Sequence, residues 1–222
     1  MSRPTNNGTN EPDMNNVQLT GPQLEQLSVA LHAGVDDAAA AMARWLSVPS
    51  VMTLESLDQI SVDEAVTLLG ADLSTICLCA MQVSGGLNGR LVFAFDDDSG
   101  LALADLVLKQ PTGSTTTWND VAQSAALETS NIIGCSYLNA LSDNLVEFDS
   151  SVRAIIPSPP VFRRDFAESL LQAVMMEQAV SSDTVLLTRV RFELNRQPLN
   201  WTLLMVPDPS SLKRLREFVP DE

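Results

Sequence analysis

Two segments in opposite halves of the chain lie over one another without a gap: GRLVFAFDDDSGLALADLV, which begins at Gly89, and NWTLLMVPDPSSLKRLREFV, which begins at Asn200. In each, an apolar strand-like run meets an acidic residue, then a serine, then an amphipathic helical pattern. Near the front of each half, LSVALHAGV at 27–35 occupies the place that QSAALETSN at 123–131 holds in the second. A repeat of this length constrains the fold more than any local signal, because each copy is one supersecondary unit that must bury its apolar face against the other. We therefore expect an α/β (α+β) chain whose repeats, about 22–110 and 118–219, form a single domain over 22–222. A pseudo-twofold axis should relate them, joining their hairpins in a mainly antiparallel sheet with the long helices 22–46 and 118–144 side by side.

Residues 1–21, rich in Asn, Thr, Pro and Gly, read as a disordered tail, since such a composition cannot repay the entropy of ordering it. Leu24, Leu27, Leu31, Val35 and Ala38 then form an apolar helical stripe that Pro49 ends. Val51 to Val62 reads as a strand and Asp63 to Leu69 as a short helix. Leu73 to Val83 and Arg90 to Phe95 read as a hairpin closed by SGGLNG. Asp96, Asp97 and Asp98 open a helix reaching about Lys109, where their charges suit its dipole. After the 118–144 helix, Val146 to Ile156 is a strand candidate and PSPP a stiff turn. Asp165 to Met176 reads as a helix with Phe166, Leu170, Leu171 and Val174 inward. Strands at Thr184 to Glu193 and Asn200 to Val206, parted by the turn NRQPL, precede a helix over Pro207 to Phe218.

A net charge of −15 over 222 residues excludes a nucleic-acid reader, which needs clustered Lys and Arg, and an anionic membrane would repel the chain. The acidity suits solubility or a cationic patch on a protein partner. Cys77 and Cys79 alternate along a strand and look like core thiols of a reducing compartment. One His and poorly spaced cysteines leave no metal site. No apolar run is long enough to span a membrane and the N-terminus lacks an export pattern, so a cytoplasmic location is expected.

The stretch 118–144, WNDVAQSAALETSNIIGCSYLNALSDN, carries the chemistry. Ser124, Glu128 and Asn131 are four and three apart, so a hydroxyl, a carboxylate and a carboxamide project from one side of a helix. Opposite them Ala122, Ala126, Ile133, Tyr137 and Ala140 make a packing surface of mostly small residues. Asn119 or Asp120 can cap the start. On spacing alone, polar residues in this pattern are more often just a solvated face.

The run SxxxExxNIxxCSYLNALS, followed by IPSPP, resembles the active-site segment of the CheC/CheX/FliY family of chemotaxis phosphatases. That family places a Ser or Asp, a Glu and an Asn on one helix with a proline downstream. The pattern falls here on Ser124, Glu128 and Asn131, and the family's apolar positions on Ile132, Tyr137, Ala140 and Leu141. The first proline after Asn131 is Pro157, later than the family pattern has it.

The resemblance implies a CheC-like fold and a substrate that is the phosphorylated aspartate of a CheY-like response regulator. The Mg²⁺ and a Lys would belong to that partner, with no cofactor bound by this chain. Asn131 would orient the attacking water and Glu128 would meet the partner's Lys, with Ser124 in support. The same resemblance brings in a CheD-like deamidase as a second candidate partner. In the first repeat Ser28, His32 and Val35 stand where Ser124, Glu128 and Asn131 stand in the second, so a degenerate first site and one working site are expected. Two rival readings remain: a non-catalytic adaptor that docks a response regulator or CheD-like protein, and a relative of a flagellar switch component.

Overall fold

The computed structural model describes residues 18–70, 75–148, 150, 153–170, 172–173, 184–194, 197–199 and 201–218. The elements in chain order are α1 (Gly21–Leu46), β1 (Ser50–Ser61), α2 (Val62–Gly70), β2 (Thr75–Gly85), β3 (Gly89–Asp96) and α3 (Asp97–Val107). The second half supplies α4 (Asp120–Phe148), β4 (Ile155–Pro157), β5 (Val161–Phe166), β6 (Thr184–Leu194), β7 (Gln197–Leu199), β8 (Trp201–Pro207) and a last helix, α5 (Pro209–Phe218). All strands join one antiparallel sheet in the order β1-β6-β8-β3-β2-β4, with β5 also on β2 and β7 on β6. Among the described residues no helix is long and apolar enough to cross a membrane.

This order reads the same from either edge once β1 is matched with β4 and β5, β2 with β6, and β3 with β8. The two hairpins meet at the centre, where β3 pairs with β8 from Gly89 opposite Pro207 to Phe95 opposite Trp201. Each outer strand crosses to the other half: β1 pairs with β6, while β4 and β5 pair with β2. The helix caps follow the same match. Asp96 accepts from Ser99 N at 2.6 Å at the start of α3, and Asp208 accepts from Ser211 N at 2.7 Å at the start of α5.

Alternation along the strands gives the sheet two apolar faces. Leu91, Phe93 and Phe95 of β3, with Cys77, Cys79 and Met81 of β2, belong to the larger core under α1 and α4. Val92, Ala94, Ile76 and Leu78 face a smaller cluster with Ala65 and Ala167. Helices α1 and α4 lie side by side as expected.

Several boundaries differ from the sequence expectation. The strand read over 146–156 begins as helix: Leu138, Leu141 and Leu145 are buried at helical spacing, which carries α4 to Phe148, and among the described residues of that stretch the strand is confined to Ile155–Pro157. Asp165 and Phe166, assigned to a helix, close β5, and Phe166 is exposed rather than inward. Helical residues begin at 167, Leu170 is buried, and Leu171 and 174–176 lie outside the described residues. Helix α3 stops at Val107 because Lys109 takes a left-handed φ of 55°. Residues 197–199 of the NRQPL turn are strand, folded back on β6. At the front, residues 1–17 lie outside the described residues. The helix claims Gly21, Thr20 caps it in a capping box with Gln23, and Leu19 is buried.

Candidate functional site

Helix α4 starts where Asn119 Oδ1 accepts from Val121 N at 3.1 Å and Ala122 N at 2.9 Å, filling two of the donors left open at a helix start. Just before it, the Trp118 ring packs on Phe162 of β5 at a centroid distance of 4.8 Å. The back of α4 is buried through Ala122, Ala126, Ile133, Tyr137 and Ala140, the packing surface read from sequence. The Tyr137 hydroxyl meets Thr188 Oγ1 of β6 at 3.1 Å, and burial pushes its pKa up. These contacts fix the rotation of the helix, and with it the side that faces out.

On that outward side, Ser124, Glu128 and Asn131 line one open groove of about 470 Å³. Its opposite wall is Pro157, Ser158, Pro159 and Pro160, and Leu127 and Cys135 complete it. Asn131 is partly buried while Ser124 and Glu128 are exposed. Ser124 Oγ donates to the Asp120 carbonyl at 2.7 Å, leaving its lone pairs open. Asn131 Oδ1 accepts from Cys135 Sγ at 3.7 Å, a weak contact, and among the described residues its amide nitrogen has no hydrogen bond and Glu128 has no ion pair. Burial and then the Glu128 charge push the Cys135 thiol pKa up, which keeps it a neutral neighbour of Asn131.

The proline wall is held from the other side of the sheet interface. Ser158 N donates to the Gln82 carbonyl at 2.8 Å, and Ser158 Oγ accepts from Gln82 N at 2.9 Å. Further along β2, its other partner strand β5 carries Arg164, which donates to Asp97 through Nε at 2.8 Å and Nη2 at 2.5 Å. Trp118 Nε1 donates to the same carboxylate at 2.8 Å, and Cys77 Sγ reaches it at 3.4 Å. The Arg164 bonds, against a burial penalty and helped by Trp118 and Cys77, hold the Asp97 carboxyl at about 2. One carboxylate thus ties α3, the entry to α4 and β5 together.

Sequence reading assigned Asp97 to the helix dipole and missed this node, because its partners lie 21 and 67 residues away. It also missed Cys135, Leu127 and Ser158 as groove residues. Pro159 and Pro160 were read only as a turn. Cys77 and Cys79 are free, buried thiols; burial raises both pKa values, that of Cys79 to about 12.

The matched positions on α1 present a different surface. Ser28 is half-buried, and the exposed His32 donates from Nδ1 to the Ser28 carbonyl at 2.8 Å within its own helix. Val35 is 3% exposed and belongs to the core with Ala38 and Tyr137. Among the described residues no group of three or more His, Cys, Asp or Glu side chains could hold a metal ion.

No protein-family model matches the chain, and no curated protein matches it in sequence. Solved structures do. FliY of Thermotoga maritima superposes with a TM-score of 0.70 at 15% identity over 90% of this chain and 97% of that one. The FliM middle domain of H. pylori gives 0.63 at 9% identity over 90% and 99%. FliM in the FliG–FliM complex of H. pylori gives 0.63 at 10% over 90% and 100%. The chain therefore has the CheC-like fold that these proteins share, as its sequence resemblance implied.

Proposed function

We propose that this chain is a phosphatase for the aspartyl phosphate of a CheY-like response regulator, working through Glu128 and Asn131 with Ser124 in support. The observation that carries the reading is the groove itself. The three residues singled out by the motif line one opening, with Pro157 on the facing wall although it comes late in the sequence. The Asn131 carboxamide can donate to and accept from a water, so it suits orienting one for in-line attack on phosphorus. The exposed Glu128, with no cation of its own among the described residues, is available to a Lys on the partner. The metal and the phosphoryl group both arrive with that partner. This chain contributes position and charge, which is most of what such a transfer asks of a protein.

The fold also supports a second reading. FliM has nearly as high a TM-score as FliY, and H. pylori FliM has been crystallised in complex with FliG and with SpeE. An adaptor that docks a signalling protein, a response regulator or a CheD-like deamidase among them, needs the groove but not the water-orienting amide.

Turnover separates the two. Receiver domains of the host, phosphorylated in vitro, are mixed with the chain at substoichiometric amounts and phosphate loss is followed. A phosphatase clears many equivalents, whereas an adaptor leaves the rate unchanged. For an enzyme, Asn131→Ala lowers the rate roughly 10²–10³-fold with docking nearly intact, the usual cost of one preorganised polar contact. Glu128→Lys acts on complex formation through like-charge repulsion. Full activity in Asn131→Ala, in a variant whose circular dichroism matches the parent, sinks the mechanism.

A further inference from the structure

Strand β5 forms an exposed edge of the sheet. Its residues pair with β2 along one side, from Thr75 opposite Phe166 to Ala80 opposite Val161. Among the described residues no strand pairs with the other side. Every residue of β5 except Phe162 is exposed. On the sheet face away from α4, Arg163 and Val161 border a cleft of about 360 Å³ whose lining includes Arg90, Gln82, Ala80 and Leu78. Val161 leaves 49% of its surface in solvent there.

Charge distinguishes this edge from the opposite one. The chain carries −15 overall, yet β5 reads VFRRDF, with two arginines and one acid. Arg164 is engaged by Asp97, whereas Arg163 donates only to the Phe162 carbonyl at 3.1 Å and has no ion pair among the described residues. The edge strand β1, by contrast, holds Glu55 and Asp58 with no Lys or Arg.

We propose that β5 is a docking edge for an extended acidic segment of a partner protein, which adds to the sheet as a further strand. Its backbone would take up the unpaired side of β5, a mode that gives affinity through the main chain and selectivity through alternate side chains. Six residues of β5 offer roughly 20 Å of edge. A carboxylate on the added strand beside Arg163 sits at cross-strand pairing distance, with Arg90 further into the cleft, and the apolar residues that alternate with it lie on the other face, that of Phe162 and the exposed Phe166. A second copy of this chain fits poorly. Symmetric antiparallel self-pairing of β5 near its centre keeps like faces together and so sets Arg163 against its own copy or Arg164 against its own copy, and like charges directly opposite are destabilising. Head-to-tail pairing with β1 finds its acids in use, Glu55 with Arg191 and Asp58 with Ser56 Oγ at 2.9 Å. The proposal is independent of any phosphatase activity at α4.

The test uses the full chain and a fluorescein-labelled peptide, Thr-Glu-Val-Glu-Val-Glu-Thr, followed by anisotropy. Saturable binding is expected, weakened at least tenfold by Arg163→Glu and at least tenfold by N-methylation of the peptide's Val amides. The version with Lys for Glu should not bind. Absence of saturable binding up to millimolar peptide overturns the proposal, as does equal affinity for Arg163→Glu. Equal binding of the N-methylated peptide reduces the edge to a charge contact and also overturns it. Self-association of the chain that Arg163→Glu abolishes would assign the edge to a second copy instead.

Discussion

Gly34 sits where α1 and α4 come closest, and replacing it with Ala sets two effects of opposite sign against each other. In a helix interior Ala is favoured over Gly by roughly 1 kcal/mol. Against that, a Cβ at position 34 would lie 3.0 Å from Ala140 Cβ, 3.1 Å from Tyr137 Cα and 3.3 Å from the Tyr137 carbonyl oxygen. Carbon atoms prefer about 3.5–4.0 Å, so both carbon contacts are well inside the optimum. Two of the three atoms met are backbone atoms of α4, and Tyr137 is pinned by its buried ring and its bond to Thr188. The helices must then separate as bodies, and overpacking of that kind costs about 1–3 kcal/mol. We expect the clash to win, with Gly34→Ala about 1–2 kcal/mol less stable in urea unfolding followed by far-UV circular dichroism. That corresponds to a melting temperature lower by roughly 2–8 °C in a chain of this size. Adding Ala140→Gly removes one of the three contacts and should recover part of the loss. A Gly34→Ala protein as stable as its parent, or more so, refutes the reasoning, because it means the two helices yield without cost.

Two further outcomes follow from the same structure. Asp97→Asn should cost about 1 kcal/mol at neutral pH, less than the raw shift from 3.8 to about 2 implies, because Asp97 and Arg164 are about one-third and two-fifths exposed and solvent screens the pair. A carboxyl held below its ordinary pKa stabilises above that value and loses the effect as pH falls through the folded one, so the difference between parent and variant should shrink between about pH 4 and 2, and a gap that widens on acidification counts against the assignment. His32→Glu with Val35→Asn copies the second motif onto α1, yet it should add no phosphatase activity to an Asn131→Ala background and should cost about 1–3 kcal/mol, since position 35 is buried and the amide has no partner there; recovered turnover would contradict this.

How much of this could be read beforehand follows from which signals are local. The repeat predicted the central pairing of the two hairpins and the paired long helices, because the order of elements and their apolar stripes lie along the chain. The caps at Asp96 and Asp208 were visible for the same reason. The crossing of β1 onto β6 and of β4 and β5 onto β2 was not visible, since exchanging the outer strands leaves every local pattern unchanged. Strand β5 escaped notice because VFRRDF has no alternation of apolar and polar residues, as suits an edge exposed on both faces. Val146 and its neighbours misled in the other direction. Val146, Phe148 and the later Val152, Ile155 and Ile156 suggested strand, while the spacing of Leu138, Leu141 and Leu145 continued the helix. In the candidate site the helical face was legible from residue spacing. Its far wall was not, because Pro157 to Pro160 reach the groove only through pairing with a strand of the other half.

That dependence explains why the two halves stay joined although the motif stands in only one. Every residue lining the groove falls between Ser124 and Pro160. Their positions, however, are set from the first half: Gln82 holds Ser158, β2 carries β4 and β5, and Asp97 grips Arg164 and Trp118. Helix α1 in turn fixes the back of α4 through Gly34 against Tyr137 and Ala140. The groove therefore depends on the strands, the Asp97 and the Gly34 of the first half, but on no Glu or Asn at positions 32 and 35. Val35 follows the same logic. Its apolar side chain adds to the core shared with Ala38 and Tyr137, so that this face of α1 serves as scaffold for the groove on α4.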